Sequence, residues 1–96
     1  MLSLIILVKA ADATSTQVQK LEYVSIHWDG RDNTHIILPN GVVKCLGPQL
    51  TVISKPSRTD ERAFYMNIAI NSLAKEGYEF VGIRDNDVIM KRIATP

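Results

Sequence analysis

The sequence predicts an α+β domain: an antiparallel sheet of about four to five strands with one helix packed on one face. Three observations carry that reading. Apolar and polar residues alternate from Leu21 to Trp28. A helically spaced run from about Asp60 to Glu76 ends on a lone glycine, Gly77. Strand-forming residues follow that glycine at once, in two short runs within residues 78–93.

Taken in chain order, the first segment has three readings. Leu2 to Val8 is an apolar run, and Ala-Asp-Ala at 11–13 has the form of a leader-cleavage signature. Residues 1–19 therefore read as an apolar arm and linker, as the remnant of a signal peptide, or as a first strand. The signal reading implies an exported, periplasmic or secreted protein, and the others allow a cytoplasmic one. The run is too short to cross a bilayer, which takes about 20 apolar residues. Residues 20–96 then form a single domain.

From Leu21 the pattern has a period of two. Val24, Ile26 and Trp28 share one face, while Tyr23, Ser25, His27 and Asp29 share the other, as in a half-buried strand. "DGRDN" (29–33) is rich in turn residues and stops it. Thr34–Leu38 and Val42–Leu46 read as two strands of a hairpin around "PNG" (39–41), and "GP" (47–48) ends the second. Leu50–Ile53 reads as a further short strand or an ordered loop. Thr59 is placed to cap the helix, with Asp60 and Glu61 in its first turn, where the helix dipole favours negative charge. At the other end Lys75 lies in the last turn, and Gly77 supplies the positive φ that lets a chain leave a helix. Tyr78–Arg84 and Val88–Ile93 are the last two strands, joined by "DND" (85–87). The element order is β-β-β-α-β-β.

Projected at helical pitch, Ala63, Met66, Ala69, Ile70, Leu73 and Ala74 form a stripe about 140° wide, the face expected to meet the sheet. Met66, Ile70, Leu73 and Trp28 are thus expected in the core. Phe64 and Ile68 lie elsewhere, four apart, with Tyr65 further round. These three are the expected contact surface for a second copy or a protein partner.

Composition removes several function classes. The formal net charge is +1, which gives no electrostatic drive toward nucleic acid or an anionic membrane. A single cysteine, Cys45, excludes an intrachain disulfide and CxxC metal or redox sites, and its expected place is the core. No G-x-G-x-x-G, P-loop, H-E-x-x-H or G-x-S-x-G occurs, and no serine has a triad context. Lys91 and Arg92 are adjacent in a strand, so they point to opposite faces and form no basic patch. One constellation has chemical content. His27 and Asp29 share a strand face, and His35 lies just past the turn. Two histidines and a carboxylate can hold a metal or supply a base with an orienting acid. The plainer reading is a polar strand face beside a polar turn.

"LAKEGYEFVGI" (73–83), a short polar gap and "DVIMKR" (87–92), with Glu22-Tyr23-Val24 near the start, resemble the small bacterial family known as domain of unknown function 4177. Its members carry a helix ending in a leucine, a Gly-(Trp/Tyr)-Glu start to the next strand and a last strand closing in Lys-Arg. The resemblance covers residues 21–28 and 60–93, and the section between them is longer than that family's usual connection. It implies a small α+β domain, no assigned activity and no functional residue. The expected function is a non-enzymatic binding or self-assembly module, a homo-oligomer or a binder of another protein. No cofactor, no nucleic-acid partner and no transmembrane segment are expected. The alternative is a small metal-assisted or acid–base enzyme built on His27, Asp29 and His35.

Overall fold

A computed structural model describes residues 20–94. The three readings of the N-terminal arm concern residues 1–19 and lie outside the described residues. Five strands, β1 (Leu21–His27), β2 (His35–Ile37), β3 (Val43–Cys45), β4 (Glu79–Arg84) and β5 (Asp87–Ile93), form one antiparallel sheet in the order β3-β2-β1-β5-β4. A four-residue helix, α1 (Gly47–Leu50), and a fourteen-residue helix, α2 (Glu61–Ala74), join β3 at one edge to β4 at the other. The α+β architecture agrees with the sequence reading. Among the described residues no helix is long and apolar enough to cross a membrane.

The long central strand sets the core. Val24 and Ile26 of β1 point to the helix side with Ile36 of β2 and Val88 and Met90 of β5, and all five are buried. Met66, Ala69 and Leu73 of α2 close over them, and Trp28 packs at the margin. Each such aliphatic side chain removed from water contributes about 1.5–3 kcal/mol. Tyr78, also buried, is held at the exit of α2 by Arg92. The guanidinium lies 4.3 Å over the Tyr78 ring, and it donates to Glu22 Oε1 and to the Glu76 carbonyl, both at 2.9 Å. The Glu22 carboxylate, foremost, raises the Arg92 pKa above its ordinary value. Lys91 and Arg92 do point to opposite faces.

Both helix ends follow local chemistry. The cap is Asp60 in place of the expected Thr59: its carboxylate accepts from the Ala63 N–H at 2.8 Å. At the other end Gly77 has φ +93°, and the Tyr78 N–H reaches back to the Leu73 carbonyl at 3.2 Å. This is the reversal the glycine was expected to allow.

Four expectations are corrected. Residues 47–50 are helical and 51–53 form a turn, so of the two readings of Leu50–Ile53 the ordered loop holds and the strand does not. Pro48 suits a helix start, where its missing N–H has no bond to lose. Gly47 is needed there because a β-carbon at that position would collide with the Asp32 backbone. Cys45 is exposed, not core, since it lies on the helix-free side of an edge strand. Tyr65, expected at the contact surface, is core: it is buried, and its hydroxyl donates to the Ile53 carbonyl at 2.7 Å. Helix α2 is accordingly rolled toward Tyr65. Ala63 and Ala74 are exposed, and Ile70 is half-buried against the core. The cause is the chain between β3 and α2. Leu46, Leu50 and Ile53 cover the Tyr65 flank, a long-range contact that helical periodicity alone does not contain.

Candidate functional site: the helix-free face of the sheet

Alternation along β1 sends Leu21, Tyr23, Ser25 and His27 to the side opposite α2. Pairing register then fixes what stands beside them. Ser25 lies opposite Ile37 on one side and Ile89 on the other, and Ile37 lies opposite Val43. Tyr23 lies opposite Lys91, which lies opposite Glu79. Beyond the bulge in β4, Gly82 sits opposite Ile89 and Arg84 opposite Asp87. The middle row across the sheet is therefore Val43, Ile37, Ser25, Ile89 and Gly82.

The middle row and the Leu21–Ile93 end of this face are apolar where solvent normally demands polar residues. Leu21, Tyr23, Ile37, Val43 and Ile93 keep between 39% and 60% of their surface in water, and no described helix packs on them. A shallow trough of about 670 Å³ runs along it, lined by Tyr23, Ile37, Pro39, Val81, Arg84 and Ile89.

The row beyond Ser25 holds the two histidines. Cys45, His35, His27, Asp87 and Arg84 stand opposite one another across all five strands. His27 and His35 come together as expected, with ring centroids 5.1 Å apart and planes tilted by 37°. Asp29 does not join them. β1 ends at His27, and the Asp29 backbone N–H donates to the buried Thr34 hydroxyl at 3.2 Å. The carboxylate at His27 is Asp87, whose Oδ1 lies 2.6 Å from Nδ1. Sixty residues separate the pair, so only strand pairing reveals it. The contact fixes the orientation of the imidazole, and His35 Nδ1 lies 3.1 Å from the Asn33 carbonyl. No group of three or more metal-ligating side chains is assembled among the described residues. Ser25 makes no hydrogen bond to His27 among them, and the Cys45 sulfur faces the Asp32 carbonyl at 3.6 Å. The arrangement orients one histidine, His27, against a carboxylate and stacks the second beside it.

The helix flank expected to make contacts is largely closed. Phe64 packs edge-on against Tyr65 at 5.0 Å between ring centroids, and Phe64 and Ile68 are half-buried against the core. The opposite flank borders an open groove of about 400 Å³ between Ala63, Ile70 and Ile83. There the roll of α2 leaves Phe80 and Ile83 of β4 uncovered, at 54% and 65% exposure. It is the smaller of the two grooves by volume.

No family model, curated protein or solved structure matches the chain.

Proposed function

We propose that this chain is a non-enzymatic assembly module that associates with copies of itself through the helix-free face of its sheet. One observation carries the reading. Leu21, Tyr23, Ile37, Val43, Ile89 and Ile93 lie together on a face that no described element covers. Antiparallel sheets with one face in water normally place polar residues there. Apolar residues clustered on an uncovered face, rimmed by charged ones, are the pattern of an interaction site. The near-neutral charge favours a protein partner over nucleic acid. The segments shared with domain of unknown function 4177 fall on β1, α2, β4 and β5, which supports membership as part of the same proposal.

Sedimentation equilibrium tests it. The wild-type protein is expected to associate reversibly in the micromolar range. Ile37→Asp, in the middle of the face, abolishes the association, because it buries an unpaired carboxylate. Val52→Asp, exposed and off the face, leaves it intact. A wild-type chain that stays monomeric up to high-micromolar concentration ends the proposal.

A further inference from the structure

The partner's orientation is written into the charges around the apolar row, an inference that rests on the self-assembly reading above. Along β4, Arg84 stands at one end of the face and Glu79 at the other. Along β5, Asp87 and Lys91 stand at the same two ends with the signs exchanged. The middle row bisects both strands. On β5, Ile89 lies two residues from Asp87 and two from Lys91. Gly82 of β4 is its cross-strand partner.

We infer that two copies stack face to face about a two-fold axis that lies along this middle row, perpendicular to the strands. A closed two-fold contact must be self-complementary, because each residue meets the partner's copy of its symmetry mate. About this axis the charged rows of β4 and β5 complement each other. Val43, Ile37 and Ile89 each meet their own copies, forming an apolar centre on either side of the self-paired Ser25. Arg84 meets Glu79, and Asp87 meets Lys91, each pair occurring twice. His27 meets Tyr23. The orthogonal choice, an axis along β1, places the β4 charges over β3, which offers Val43 and Cys45 and no opposite charge. The strands also set the scale of the contact. β2 and β3 have three residues each and β1 and β5 seven, so at about 3.3 Å per residue and about 4.8 Å between strands the face is on the order of 400 Å² a side. Two copies thus enclose on the order of 800 Å², the size of a weak, transient contact. This implies a weak, micromolar dimer.

The test is a mixing experiment on the full chain. Glu79 and Arg84 are both exposed, so single substitutions leave the fold intact, as circular dichroism can verify. Glu79→Arg alone sets two Arg–Arg pairs across the dimer, and Arg84→Glu alone sets two Glu–Glu pairs. Each variant by itself is expected to dimerise at least about tenfold more weakly than wild type. An equimolar mixture of the two satisfies both pairs in the heterodimer. Its dissociation constant is expected to return to within about threefold of wild type. Any within-chain cost of each substitution is identical in the free chains, so only the contact between copies restores affinity. A mixture no tighter than either variant, with the wild type dimeric, overturns this geometry and leaves self-assembly standing. So do single variants that dimerise as well as the wild type. A monomeric wild type overturns both.

Discussion

Val24 and Ile26 of β1 are 1% and 0% exposed, while Tyr23, lying between them and the strand start, is 51% exposed. Residues of high strand preference stand on both sides of the sheet, Val24, Ile36 and Val88 on one and Ile37, Val43 and Ile89 on the other, yet only one side is roofed. Helix α2 and the Leu46–Ile53 segment cover the even-numbered side, and nothing described covers the other. Strand propensity therefore does not distinguish the faces; what lies on top does. The covered face holds the fold together. The uncovered one keeps apolar surface in water, which reduces the stability available to a monomer and leaves a favourable contact for a second molecule.

The largest expected effect tests the covered side. Ile26→Ala removes a fully buried side chain among Val88, Met90 and α2, and should cost about 2–5 kcal/mol in urea unfolding, from lost transfer energy plus a residual cavity. A cost below about 1 kcal/mol would mean that α2 does not seal this face, and the contrast between the two sides would fail.

A smaller loss is expected where the chain turns back from the roof into the sheet. Gly77 lies at φ +93° with open space around it, so a side chain there suffers from backbone conformation and not from collision. Gly77→Val should cost about 1–3 kcal/mol in thermal or urea melts, while Gly77→Asn, which tolerates the left-handed region, should cost distinctly less. Equal costs for the two variants would place the penalty elsewhere than in φ.

How far these features were legible depended on the range of the interaction behind them. The β1 alternation, the α2 run and the Gly77 exit rest on neighbours within a turn or a pleat, and all three stand in the sequence. The short helix at Gly47–Leu50 was missed because its proline and glycine carry the same signal as a strand end. The roll of α2 toward Tyr65 depends on Ile53, twelve residues earlier, and no helical projection includes that contact. The candidate site was the least legible part. Read alone, the outer face of β1 is Tyr23, Ser25, His27 and Asp29, an ordinary polar face. Its apolar character comes from Ile37, Val43, Ile89 and Ile93, on three other strands, and becomes visible only once register is known. Asp87 as the partner of His27 was hidden for the same reason.

The smallest effect sharpens the contrast most. Tyr23 lies on β1 next to Val24 but on the open side, where truncation leaves no cavity. Tyr23→Ala in a solution dilute enough to be monomeric should change unfolding free energy by no more than about 0.5 kcal/mol, the range of an ordinary surface substitution. The same variant at concentrations where the wild type associates should lose part of the stability that association adds, since a partner that binds only the folded state raises stability by mass action. The gap between Tyr23→Ala and wild type should therefore widen with protein concentration, while the gap for Ile26→Ala stays fixed relative to the monomer. A large, concentration-independent loss for Tyr23→Ala would show that the open face is already covered within a single chain, and the two sides of the strand would then differ in what covers them and not in whether they are covered.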